Sequence, residues 1–307
     1  MKALIFPGQG SQYKGMGKDF FERDAESRRI FEEACDVLQY NLSGIMFDGD
    51  EETLRQTKYT QPAIFLHSYV ASKFVDLSDV TVVAGHSLGE YTAVCVSGAM
   101  SFKDALLVVQ KRGELMQDAG EKMPGSMCAV VGLSEEKLEA LLAEANTVGV
   151  IQAANFNSPG QVVLSGEVNA IKKALEVAKP MGAKLAKELT VSGAFHSPLM
   201  HRAEAELKAA LDSVFIQDSK IPICMNVNAL PAHHGDVIRE NLLLQLTSPV
   251  LWQQSIAHIV QHGGKEFVEV GPQKVLQGLV KRIAPTALLS GVDTYEEALL
   301  ARQVTSQ

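Results

Sequence analysis

Val80-Thr81-Val82-Val83-Ala84-Gly85-His86-Ser87-Leu88-Gly89-Glu90 is the stretch on which the reading of this 307-residue chain turns. Residues 80–84 are apolar and mostly β-branched, so they read as a buried strand. The strand stops at Gly85, and a helix-like stretch begins near Gly89. In that context G-x-S-x-G is a nucleophile elbow, a turn too tight for side chains at the glycines that holds the serine oxygen above the sheet edge. The N-terminus of the helix adds positive partial charge where an oxyanion would develop. Ser87 is therefore the candidate nucleophile and the Leu88 N–H a candidate oxyanion donor. A Gly/Ser-rich turn without chemistry is the bland alternative, and the strand and helix flanks count against it.

Outward from the elbow, strands and helices alternate. Residues 3–6 form an apolar run that opens into the turn-rich Pro7-Gly8-Gln9-Gly10-Ser11. An amphipathic helix near residues 27–38 places Phe31, Ala34, Cys35 and Leu38 on one face. Later come a strand at 223–227, a helix around 252–261, a strand at 267–270 and a helix after Gly271-Pro272. This alternation predicts a mainly parallel sheet covered on both faces. The middle differs: strand 127–132, a helix capped by Ser134, strand 149–154, a turn-rich loop at 155–160, strand 161–165, a helix bearing Ile171, Ala174, Leu175 and Ala178, and a strand around 184–191. That βαββαβ order is ferredoxin-like. The expected architecture is α/β: a large α/β-hydrolase-like domain with a mainly parallel sheet from residues 1–124 and 192–307, and an inserted ferredoxin-like α+β small domain at 125–191.

Composition narrows the function. The net charge of −8 gives no global basic field, so nucleic-acid and anionic-membrane binding are not expected. No apolar stretch is long enough to cross a bilayer, and the N-terminal apolar run is too short for a secretory signal. Cys35, Cys95, Cys128 and Cys224 form no C-x-x-C pair and read as reduced core residues. The expected compartment is the cytoplasm.

A serine of ordinary pKa needs a base within hydrogen-bonding reach. His196, in Gly193-Ala194-Phe195-His196-Ser197-Pro198, lies where the chain re-enters the larger domain and a cleft is expected. His258 and His262 have metal-ligand spacing, but Ile259 stands where a zinc protease has Glu, so they read as a polar helix face. His67, His201, His233 and His234 have no companion motif, and His86 sits inside the elbow. No metal site is expected. The loop Gly8-Gln9-Gly10-Ser11-Gln12 continues as Tyr13, which leaves G-x-G-x-x-G incomplete. The Gln9 N–H is a candidate second oxyanion donor, with a plain tight turn equally compatible with the spacing.

Taken together, the ordered motifs resemble the malonyl-CoA:acyl-carrier-protein transacylases of bacterial type II fatty-acid synthesis, relatives of polyketide synthase acyltransferase domains. The resemblance rests on Phe6-Pro7-Gly8-Gln9-Gly10-Ser11-Gln12, Thr60-Gln61-Pro62-Ala63, residues 85–90, Lys111-Arg112-Gly113, residues 154–161, residues 194–198, Gln245 with Pro249-Val250-Leu251-Trp252, and Glu269-Val270-Gly271-Pro272. It covers nearly the whole chain. It implies Ser87 as nucleophile, His196 as base, and Gln9 with Leu88 as oxyanion hole. It further implies that Arg112 grips the malonyl carboxylate, that Gln245 orients the histidine through its backbone carbonyl, and that Phe195 favours malonyl over methylmalonyl.

The implied reaction is ping-pong transfer of malonyl from malonyl-CoA to acyl carrier protein, with no tightly bound cofactor. The chain is expected to act as a monomer and to meet the acidic carrier through Lys281 and Arg282. Two departures bear on selectivity: Gly193 stands where related malonyl-selective domains often have His, and Asn228 replaces a common Thr. Competing readings are a trans-acting malonyl acyltransferase of a polyketide assembly line, an inert carrier-binding scaffold, and an α/β-hydrolase-type thioesterase. The last would need a triad acid between serine and histidine, for which Asp104 and Glu114 are available.

Overall fold

A computed structural model describes residues 1–304. The strands are β1 (Lys2–Phe6), β2 (Val80–Gly85), β3 (Gly125–Val131), β4 (Ile151–Ser158), β5 (Gln161–Glu167), β6 (Leu185–Glu188), β7 (Ile223–Cys224), β8 (Pro231–Ala232), β9 (Glu266–Val270) and β10 (Leu288–Val292). Six form one sheet in the order β10-β9-β1-β2-β7-β8. Its pairings are parallel except β7 with β8. Why β1 lies at the centre is written in its residues. Leu4 and Phe6 belong to one hydrophobic cluster, with Leu88 and Tyr91 from the helix Leu88–Val96. Ala3 and Ile5 belong to another, with Trp252, Ile256 and Val280 from the helices Trp252–Gln261 and Val275–Ile283. Alternate side chains of a strand point to opposite faces, so helices on both sides require an unbroken apolar run.

The remaining strands form an antiparallel sheet, β4-β5-β3-β6. With the helices Glu135–Ala145 and Val168–Ala178 interposed, this is the ferredoxin-like arrangement the pattern predicts. Leu138, Leu141, Ile171 and Ala174 pack against Cys128, Val130 and Leu164 in its core. The sheet is tied to the rest of the chain by β4, where Phe156 N–H donates to the Val250 carbonyl (2.9 Å) and Val250 N–H to that of Ala154 (2.8 Å).

Several boundaries differ from the sequence reading, and three of them bear on the site. The expected loop at 155–160 shrinks to a turn, because β4 runs to Ser158 through two register irregularities. The strand expected at 184–191 ends at Glu188. Beyond it Leu189 N–H still donates to the Met127 carbonyl (2.9 Å), but Leu189 and Val191 turn to line a cavity. The strand expected at 223–227 is only Ile223–Cys224, because Asn226 leaves the sheet to bond to the elbow. Of the cysteines, Cys95, Cys128 and Cys224 are buried, Cys35 is partly buried, and all are free.

Candidate active site

Ser87 sits between β2 and the helix Leu88–Val96 with φ 50° and ψ −105°. A side chain rarely adopts positive φ unless its surroundings enforce it. Here the two glycines allow the enforcement: a Cβ on Gly85 would meet the Gly89 carbonyl carbon at 1.9 Å, and one on Gly89 the Phe6 carbonyl oxygen at 2.0 Å. Asn226 braces the turn, its Oδ1 accepting from Ser87 N–H (2.8 Å) and its Nδ2 donating to the Gly85 carbonyl (2.7 Å). As the first residue of its helix, Leu88 has an N–H with no intrahelical acceptor.

The His196 Nε2 lies 2.7 Å from Ser87 Oγ, and its Nδ1 lies 2.8 Å from the Gln245 carbonyl oxygen. A carbonyl can only accept, so Nδ1 carries the proton and Nε2 presents its lone pair to the serine hydroxyl. His196 is itself at φ 56°, and its carbonyl is held by Gln152 Nε2 at 2.7 Å. Burial first, and the Arg112 charge second, push its pKa down to about 3. The ring is neutral at physiological pH.

Arg112, on the helix Phe102–Lys122, is 1% exposed. Its Nη1 donates to Gln61 Oε1 (2.7 Å), and its Nη2 to Gln245 Oε1 (2.8 Å) and Ser87 Oγ (3.1 Å). The guanidinium lies over the Tyr91 ring at 5.1 Å. Its Nε has no hydrogen-bond partner, and no ion pair to Arg112 occurs among the described residues. Glu90 lies beneath the elbow, fully buried, with its carboxyl pKa pushed up to about 8 by burial despite N–H donors from Asn226 and Gln245.

These groups open onto a cavity of about 200 Å³ lined by Gln9, Ser87, Leu88, Arg112, Phe195 and His196. Met116, Met127, Leu189 and Val191 give it an apolar wall. Such a space can hold a small acyl group against a serine oxygen, with a base on one side and a cation on the other. Gly8 brings the Gln9 loop against the elbow, since a Cβ there would meet the His86 carbonyl oxygen at 2.4 Å.

Of the sequence candidates, Ser87, His196, Gln9, Leu88, Arg112, Gln245 and Phe195 converge here. Lys281 and Arg282 do not: both are exposed on the helix Val275–Ile283, where they bond to the Pro285 carbonyl and Gln161 Oε1. The hydrolase alternative finds no triad acid at the histidine. Asp104 accepts from Ser101 at the start of its helix, Glu114 is exposed, and a peptide carbonyl occupies Nδ1. His258 and His262 stack on each other, with ring centroids 4.1 Å apart. Among the described residues no His/Cys/Asp/Glu group is arranged to hold a metal, and no helix is long and apolar enough to cross a membrane.

Sequence reasoning assigned no role to Glu90, Gln61 or Asn226. Glu90 and Gln61 stand inside motifs already singled out. Asn226 gave no local signal, because its partner Ser87 is 139 residues away.

Comparison with known proteins gives the family. The acyl transferase domain family matches residues 3–296, and the chain belongs to that family. The chain is 42% identical to the malonyl CoA-acyl carrier protein transacylase of Bacillus subtilis, over 97% of this chain and 96% of that one. The acyl-carrier-protein-S-malonyltransferase of Bartonella henselae superposes with a TM-score of 0.93 at 38% identity, covering 100% of this chain and 99% of that one. A malonyl-transacylase solved in complex with its type II polyketide acyl-carrier protein gives 0.94 at 35% identity, with 99% of each chain covered.

Proposed function

We propose that this chain transfers a malonyl group from malonyl-CoA to the phosphopantetheine thiol of an acyl carrier protein, through a malonyl ester on Ser87. The observation that carries the reading is Arg112: a buried guanidinium 3.1 Å from the nucleophile, held by neutral amides, with Nε unpartnered. A cation buried without a counter-charge is costly unless a ligand supplies one. The free carboxylate of malonyl, next to a thioester under attack by Ser87, supplies it, and a guanidinium fork matches a carboxylate geometrically.

His196 Nε2 takes the proton as Ser87 Oγ attacks the thioester carbonyl. The N–H groups of Leu88 and Gln9 receive the oxyanion. Collapse breaks the C–S bond, and coenzyme A leaves as the thiol with the proton from His196. In the second half the carrier thiol gives its proton to His196 and attacks the ester, and Ser87 Oγ recovers the proton on leaving. No step uses a tightly bound cofactor or a metal. The relative solved with its carrier protein supports an acyl carrier protein as partner, and we assign its docking to Lys281 and Arg282. Every group named comes from one chain, in keeping with a monomer. The inferred domains are residues 1–124 with 192–307, carrying Ser87, Arg112 and His196, and residues 125–191, which contribute wall. The compartment that holds these substrates is the cytoplasm.

Intact-protein mass after brief exposure to malonyl-CoA tests the reading. One malonyl adduct is expected on wild type and none on Ser87→Ala; an adduct that survives the substitution rejects the covalent route. Coenzyme A release should stall after one equivalent until a thiol acceptor is added, whereas steady release would indicate a hydrolase.

A further inference from the structure

The Gln245 side-chain amide has a defined orientation, enforced by the Ser87 carbonyl, by Asn226 Oδ1, which accepts from Gln245 Nε2 at 3.3 Å, and by Glu90. The amide Oε1 accepts from Arg112 Nη2 (2.8 Å), while its Nε2 donates to the Ser87 carbonyl (3.0 Å) and to Glu90 Oε2. The other carboxyl oxygen of Glu90 accepts from Asn226 N–H. The side chain of Asn226 in turn bridges Ser87 N–H and the Gly85 carbonyl. One fully buried carboxyl thus binds both residues that hold the elbow, one of which also holds the arginine.

We infer that Glu90 is a positioning residue: its Oε2 accepts from the Gln245 amide while its Oε1 anchors the Asn226 backbone, so that an oxygen, not an NH₂, of Gln245 faces Arg112 and the guanidinium stays aimed at the acyl carboxylate. This rests on the transacylase reading and extends it to a residue that touches neither substrate nor the reacting atoms. The reason is donor–acceptor parity. With the amide reversed, its NH₂ would oppose Arg112 N–H, and its oxygen would oppose the Ser87 carbonyl and Glu90, leaving buried groups unpaired on both sides. Asn226 N–H and Gln245 NH₂ are both donors, so the residue between them must accept twice. An ionised carboxyl can do so and a carboxamide cannot.

Glu90→Gln tests the inference while preserving volume. One of its two contacts becomes donor against donor, and relief comes by turning the Gln245 amide toward Arg112. Measured above pH 8, where Glu90 is ionised, the malonyl-to-acetyl ratio of kcat/KM should fall about tenfold, the scale of one hydrogen bond to a charged group. Acetyl transfer reports the Ser87–His196 pair and the elbow without the carboxylate contact to Arg112, so disturbance of the elbow, common to both acyl groups, cancels in the ratio. An unchanged ratio, whether both rates hold or fall together, overturns the inference.

If Glu90→Gln does not fold, the side-chain amide signals of Gln245 in ¹⁵N-labelled wild type decide. They should move near pH 8 as Glu90 loses its proton and gains the second acceptor that holds the amide, Glu90 facing Arg112, Tyr91 and Cys224 as its charged or titratable neighbours. Signals that stay fixed through that range overturn it. Wild type that is never malonylated would reject the transacylase reading itself, whereas a malonyl preference that persists in Glu90→Gln rejects only the role of Glu90.

Discussion

His196 Nδ1 is hydrogen-bonded to the backbone carbonyl oxygen of Gln245 at 2.8 Å, so a neutral peptide group orients the base. A carboxylate in that place would stabilise the imidazolium and raise its pKa. A carbonyl fixes the tautomer with far less charge stabilisation, and burial and Arg112 then hold the pKa low. The base is consequently weak but in its active, neutral form throughout the physiological range.

The pH profile should show this. Between pH 5 and 7, kcat/KM for malonyl-CoA is expected to lack the inflection near ~6.5 of an ordinary imidazole. A bound malonyl carboxylate offsets the Arg112 charge, which depresses the His196 pKa, so the acid limb of kcat should lie at higher pH than that of kcat/KM. Stability moves in a definite direction too. The unfolded histidine takes up a proton below ~6.5 and the folded one only near 3, so His196 lowers stability as pH falls across that window. Urea midpoints of wild type and His196→Gln should converge there, and an inflection near ~6.5 in kcat/KM would count against the depressed pKa.

Arg112→Ala should lower kcat/KM for malonyl-CoA by roughly 2–5 kcal/mol, the range for truncating one partner of a buried charge pair. Acetyl transfer should be spared or improved, because an uncompensated buried cation opposes a neutral acyl group. Arg112→Lys should rescue only in part, having the charge without the planar fork. The ratio of specificity constants is the measurement, and equal losses on both substrates would make Arg112 structural.

Phe195 is 6% exposed and forms part of the cavity wall. Phe195→Ser should improve methylmalonyl-CoA relative to malonyl-CoA by about 1–3 kcal/mol, the limit for discrimination by shape against one methyl. Competition between the two substrates reads the ratio directly, and no change would remove Phe195 from selectivity.

Reversing Lys281 and Arg282 to Glu should weaken transfer to the acidic carrier, most at low salt, and leave acylation by malonyl-CoA unchanged. Stopped-flow measurement of the two half-reactions separates them. Equal loss in both would discard this docking site.

Two glycines make a contrasting pair for stability. Gly89→Ala drives a Cβ to 2.0 Å from the Phe6 carbonyl oxygen, and should cost at least the upper end of the roughly 1–3 kcal/mol typical of overpacking. A Cβ added at Gly278, in the helix Val275–Ile283, would meet nothing within 4 Å, and Gly278→Ala should stabilise by about 0.5–1 kcal/mol. Urea denaturation of both variants gives the comparison.

By itself the sequence determined the elements and much of the chemistry. The run at β1 needed helices on both faces, the glycines at 85 and 89 admitted one kind of turn, and the βαββαβ order defined the smaller sheet. Motif resemblance named Arg112, Gln245 and Phe195, which periodicity alone left as an ordinary helix face or loop. What only the tertiary structure decided are relations between distant segments. The length of β7 was fixed by the demand of the elbow for Asn226, and the end of β6 by the turn of Leu189 and Val191 into the cavity. Glu90 reads locally as one acid in a helix's first turn. Its partners Asn226 and Gln245 lie 136 and 155 residues further on, and folding alone brings them into hydrogen-bonding range. Local pattern encodes which face of an element is buried. Pairing of buried polar groups is encoded in no segment, because each donor's acceptor exists only once the whole chain has packed.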